Sequence, residues 1–131
     1  MKTSIKMLAL TGIMMLTLVA CKTVGETLVE NGATPFTKSE TIAYISGKTQ
    51  VWSKGGAFHA TDGSLDTLWS GTREVGTWSV TDEGALCWHI ASWGDGACDS
   101  YYHDGGGVTT VYKGTAKPAQ ALHDGNILDS L

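Results

Sequence analysis

Four histidines, His59, His89, His103 and His123, are the side chains best suited to metal ligation or proton transfer. A zinc or copper site needs three or four ligands converging on one point, each held by an outer partner. No two of these histidines stand at i, i+2 on one strand, so they read as surface or half-buried residues and no metal site is predicted. The pairs Asp62-Gly63, Glu83-Gly84, Asp95-Gly96, Asp104-Gly105 and Asp124-Gly125 suggest calcium loops. They lack the ligands at alternating positions that an EF-hand requires, and read as turns. Ser79 and Ser100 fall within strands, without the elbow that exposes a nucleophilic serine. Ser46-Gly47-Lys48-Thr49 is not a phosphate loop, because position 42 is Ile where the upstream Gly belongs. These absences predict a non-catalytic protein without a cofactor.

The tryptophans carry the remaining chemistry. Trp52, Trp69, Trp78, Trp88 and Trp93 are many for so short a chain. Large aromatic side chains fill a small core, or line an apolar pocket inside a barrel. Trp78 and Trp88 are the candidate inward residues for a small ligand. Trp93 stands between Ser92 and a Gly-Asp-Gly turn, and is the candidate exposed contact for a macromolecular partner.

The elements that must position these residues are short strands. Trp78 and Val80 alternate with Thr77, Ser79 and Thr81; Leu86, Trp88 and Ile90 alternate with Ala85, Cys87 and His89. Thr81-Asp82-Glu83-Gly84 joins the two runs as a hairpin turn. Further strands are predicted over 49–53, 57–61, 65–70, 98–103 and 108–113, then around 119–122 and from Asn126, each bounded by Gly-containing turns. One helix is predicted over 38–46, opened by the capping box Thr37-Lys38-Ser39-Glu40. Thr23 to Pro35 shows no sustained period and reads as a tether. The fold class is therefore mainly β: a small antiparallel β-meander or barrel with one short N-terminal helix. Residues 37–131 form a single β-rich domain and residues 21–36 a tether.

Residues 1–20 read as a leader. Lys2 and Lys6 precede an apolar run from Met7 to Val19, of signal-peptide length. Leu18-Val19-Ala20-Cys21 matches the lipobox of bacterial lipoproteins, which predicts lipidation of Cys21, with palmitate among the acyl groups. Two or more acyl chains anchor stably. Lys22 follows the modified residue, and the resemblance to lipoproteins of bacteria with two membranes implies, with no Asp there, the outer membrane, facing the periplasm. Without the leader, 7 basic residues face 13 acidic ones, a formal charge of −6. That balance excludes nucleic acid as a partner class and leaves a basic protein open. With Cys21 taken by lipid, Cys87 and Cys98 remain, and an oxidising compartment pairs them as a disulfide. Their strands either lie in register or are joined through a kinked loop over 92–97.

Gly47-Lys48-Thr49, Phe58-His59-Ala60-Thr61-Asp62-Gly63, Gly76-Thr77-Trp78, Asp82-Glu83-Gly84, Leu86-Cys87-Trp88 and Cys98 follow one another in an order that resembles a family of small secreted bacterial proteins known as a domain of unknown function. The resemblance covers about residues 40–113 and implies a β architecture and the disulfide, but no activity. The expected function is a non-catalytic, lipid-anchored, periplasm-facing module that binds an unknown ligand, small and apolar or amphipathic, or serves envelope maintenance. The alternative is an interaction module that inhibits a basic envelope enzyme, as lipoprotein inhibitors of lysozyme do. The Ser-Gly-x-x-Tyr motif of that group is absent, since Lys48, Thr49 and Gln50 follow Ser46-Gly47.

Overall fold

The computed structural model describes residues 21–94 and 96–131. The leader and Asp95 lie outside the described residues. Two short helices, α1 (Val24–Glu30) and α2 (Lys38–Ile45), flank a two-residue strand, β1 (Thr34–Pro35). Eight strands follow as successive antiparallel neighbours: β2 (Lys48–Trp52), β3 (Gly55–His59), β4 (Ser64–Trp69), β5 (Thr72–Val80), β6 (Leu86–His89), β7 (Cys98–Asp104), β8 (Gly107–Tyr112) and β9 (Thr115–Pro118). The last strand, β10 (Leu122–Asp124), pairs with β2, and β1 pairs with β7. The sheet thus curls until β9 and β10, at opposite ends of its strand order, are separated by three residues. Those residues hydrogen-bond to both sides, Ala119 N to Val108 O and Val51 N to Ala121 O, each 2.9 Å.

The expected central hairpin is present. Trp78 and Trp88 are direct partners across β5 and β6, and Gly84 closes the turn with φ +89°. A Cβ on Gly84 would also run into the Phe36 carbonyl, so this turn sits hard against the chain entering α2. The Thr41 hydroxyl, fully buried on α2, donates to the Gly84 carbonyl at 2.7 Å. Thr41→Val keeps the shape and strands that carbonyl, and is expected to cost about 1–2 kcal/mol. A shifted urea midpoint with unchanged slope checks this; an unshifted midpoint contradicts it.

Strand β5 begins four residues earlier than its apolar alternation suggests. Ser70 and Gly71 both have positive φ, +48° and +81°, the signature of a tight two-residue hairpin turn. That turn pairs Trp69 with Thr72 at once, whatever the polarity of Thr72, Arg73 and Glu74.

Three expectations are corrected. The segment read as a tether carries α1, capped by a second capping box: Thr23 Oγ1 accepts from Glu26 N at 3.2 Å, and Glu26 Oε2 accepts from Thr23 N at 2.9 Å. Local capping orders this helix although it buries no residue. The strand placed around 119–122 falls on the link between β9 and β10, where the chain leaves one neighbour and joins another. From Asn126 the chain forms a 3-10 turn, Leu128–Ser130, instead of a strand. Asn126 Oδ1 accepts from Leu128 N at 3.1 Å and bends the chain back. Leu128 is thereby buried. Arg73, on β5, secures this end by pairing with both Asp66 and Asp129.

The core holds Phe36, Ile45, Ala57, Leu65, Leu86, Trp88, Ile90 and Tyr101. Along β7 Asp99 and Tyr101 are buried, and His103, next on the same face, is exposed. His103 stacks on Phe36 beside α2, with ring centroids 4.2 Å apart. Asp99 marks the opposite end of the interior, where the core opens.

Candidate functional site

At that open end lies a cavity of about 580 Å³. Its rim is aromatic. Trp52 is the hub, with ring centroids 6.0 Å from Trp69, 5.8 Å from Trp93 and 6.4 Å from Trp88. Tyr112 completes the wall. All but Trp93 arrive by the two-residue strand period. Gln50 and Trp52 share the inner face of β2, Thr110 and Tyr112 that of β8, and Trp69 ends β4. Trp93 comes from a 3-10 turn, Ala91–Trp93, after β6.

The disulfide places the floor. Cys87 and Cys98 are register partners on β6 and β7, with Cα atoms 4.1 Å apart, so of the two arrangements left open the strands lie in register. The next residue on each strand, Trp88 and Asp99, turns inward to line the cavity. Trp88 Nε1 donates to Nε2 of His59 at 2.9 Å, and Trp93 Nε1 donates to Glu74 Oε2 at 3.2 Å. The Thr110 hydroxyl donates to the Lys117 carbonyl at 3.3 Å. These three donors of the wall are already engaged.

The acceptors are not. Asp99 is 6% exposed and Gln50 2% exposed, yet Asp99 Oδ1 and Gln50 Oε1 have no hydrogen-bond partner among the described residues, and neither has the Tyr101 hydroxyl beneath them. A buried polar group left unpaired costs about 1–3 kcal/mol. Burial pushes the Asp99 carboxyl up to about 6, against the opposing charge of Lys117. Burial likewise raises Tyr101, with the Asp99 charge and Tyr44 adding to it. His59, fully buried behind Trp88, is pushed down to about 4 by burial, against the Lys48 and Ala57 carbonyls. It is a neutral ring that accepts from an indole.

A second hollow, about 500 Å³, runs outside the sheet along α1 and Tyr102. Its charges are engaged locally, Lys22 with Glu30 and Glu26 with the helix cap, and no unpartnered buried atom faces it.

Of the candidate residues, Trp88 and Trp93 meet at the inner cavity. Trp93 is not an isolated contact at a hairpin tip: it is 43% exposed, but its ring leans on Trp52. Trp78 lies elsewhere, packed edge-on against His59, with Nε1 donating to the Ala60 carbonyl. Cys21 is exposed just before α1. Among the described residues no group of three or more His, Cys, Asp or Glu is arranged to hold a metal ion, and no helix is long and apolar enough to cross a membrane. Gln50, Asp99, Thr110 and Lys117 were not foreseen from the sequence. The signal lay in strand parity, but adjacent Tyr101 and Tyr102 conceal which face of β7 points inward.

Residues 11–116 match the family described as "Protein of unknown function (DUF995)". No curated protein and no solved structure matches the chain.

Proposed function

The chain belongs to that family of unknown function, and from its site we propose a non-catalytic binding module that holds a small, largely apolar ligand in the tryptophan-rimmed cavity and is anchored to the envelope by lipid on Cys21. The observation that carries this reading is the cavity itself: about 580 Å³, walled by four indoles over a floor with unspent hydrogen-bonding capacity. Ligand sites commonly combine a concave apolar wall with a few convergent polar groups. The anchor reading rests on the lipobox and on the exposure of Cys21. Lipid there would hold the domain near the outer membrane on its periplasmic side, separated by α1 and β1 instead of a long tether.

The exposure of Trp69 and Trp93, 44% and 43%, favours a second reading, in which the same rim captures a basic envelope protein. Native mass spectrometry of the chain recovered from envelope membranes tests both. The expected species carries acyl mass on Cys21 and a retained small ligand, and Trp52→Ala loses the ligand while keeping the lipid. An unmodified Cys21 at the mature N-terminus would end the anchor reading. A one-to-one complex with a basic protein, and no small ligand, would replace the first reading with the second.

A further inference from the structure

Part of the cavity's donor set is already spent: the indole N–H groups of Trp88 and Trp93 and the Thr110 hydroxyl bond within the chain, while Asp99 lines the floor with its Oδ1 unpaired among the described residues. Asp99 is more than nine-tenths buried, so bulk water does not solvate it freely. Around the same cavity stand the rings of Trp52, Trp69, Trp88 and Trp93. Indole faces attract cations through the ring quadrupole, and do so more strongly away from water. The charges nearby are two: Glu74, which holds Trp93 at the rim, and Lys117 on the wall, beyond salt-bridge distance from Asp99 but close enough to lower its pKa. An anionic head would meet Asp99 and Glu74; a neutral apolar ligand would leave the carboxylate unpaired.

Resting on the binding-module reading, we propose that the ligand is an organic cation: an ammonium or amidinium head that donates N–H bonds to Asp99, on an apolar body held among the four tryptophans. Lys117 opposes such a ligand, and its long exposed side chain sets how strongly.

Titration calorimetry of the full chain at neutral pH, where Asp99 is ionised, tests this with three probes of one shape: benzylammonium, benzyl alcohol and benzoate. Benzylammonium is expected to bind about tenfold tighter than benzyl alcohol, with benzoate weakest. Asp99→Asn is expected to bring the cation to within about twofold of the alcohol while the alcohol still binds. Lys117→Met changes an exposed side chain and keeps the test open if Asp99→Asn misfolds; it is expected to tighten benzylammonium about threefold or more. Benzoate binding as well as the cation, or a cation preference that survives Asp99→Asn, or no tightening in Lys117→Met, would overturn the proposal while alcohol binding keeps the cavity reading intact. No binding by any probe at millimolar concentration would remove both.

Discussion

Cys87→Ser or Cys98→Ser is expected to lower the unfolding free energy by about 2–5 kcal/mol. The bridge spans a sequence separation of 11, a short loop whose closure the unfolded chain would otherwise leave free. So short a loop places the entropic share at about 3 kcal/mol, and its site adds to it. β6 and β7 share only two register pairs, Leu86 with Asp99 and Cys87 with Cys98, the shortest ladder between consecutive strands of the curl. One further backbone bond, Trp88 N to Ala97 O at 3.1 Å, extends it. The covalent link therefore stands in for ladder bonds at this seam. Urea unfolding of wild type and variant, each with and without reductant, checks the effect. Equal midpoints for all four samples would show that the bridge contributes nothing. Because Trp88 and Asp99 are the residues next to the cysteines, the same substitution should weaken binding in the cavity even where the fold survives.

Acid behaviour gives the second large effect, and it is concealed in the wild type. His59 is buried neutral, with its pKa pushed down from 6.5 to about 4. Between those values the unfolded chain takes up a proton that the folded chain refuses. The stability due to His59 is thus intact above 6.5 and lost as pH falls toward 4, by about 3 kcal/mol in all. Asp99 acts in the opposite sense. Its pKa is raised from 3.8 to about 6. At neutral pH the folded state bears a buried carboxylate, and that penalty of about 3 kcal/mol is relieved as pH falls from 6 toward 3.8. The two windows overlap, so their contributions nearly cancel. Asp99→Asn removes one of them. The variant is expected to be more stable than wild type at pH 7 and to lose about 3 kcal/mol more than wild type between pH 7 and pH 4. Unfolding at the two pH values checks it; parallel losses in the two proteins would contradict the assignment. The exposed carboxyls of Glu40 and Asp62, held low by Thr37 and by Ser64, titrate alike in both and leave the comparison intact.

Much of the architecture was legible because local rules and burial agree. The Thr37 box opens α2 where expected, the alternation around Trp78 and Trp88 is a hairpin, and the cysteine pair bridges neighbouring strands. The first helix was missed although Thr23 and Glu26 form the same box, because it is short and Val24, Leu28 and Val29, none of them fully buried, make too brief a stripe to read as a period. The C-terminal strands were misplaced because a segment that changes neighbours midway has no alternation of its own. The site was half legible. Tryptophans announce an aromatic wall, but Gln50 and Asp99 violate the pattern that reveals which face is inward. Residues that break the rule of apolar interiors are expected at functional positions, and are the ones that periodicity hides.

The pairing of β10 with β2 has a consequence for how the molecule comes into being. From β2 to β9 each strand meets its sequence neighbour, so most of the sheet can assemble as local hairpins while the chain is still emerging. Joining Leu122–Asp124 to Lys48–Gln50 spans most of the domain, and pairings of such range form slowly. Until it happens, β2 offers a bare edge to any other unfinished copy. That edge bears Gln50 and Trp52, part of the cavity wall. The proposed ligand binding would therefore be the last property a nascent chain acquires, and a ligand that bridges β2 to β7 and β8 would favour the curled sheet over self-association.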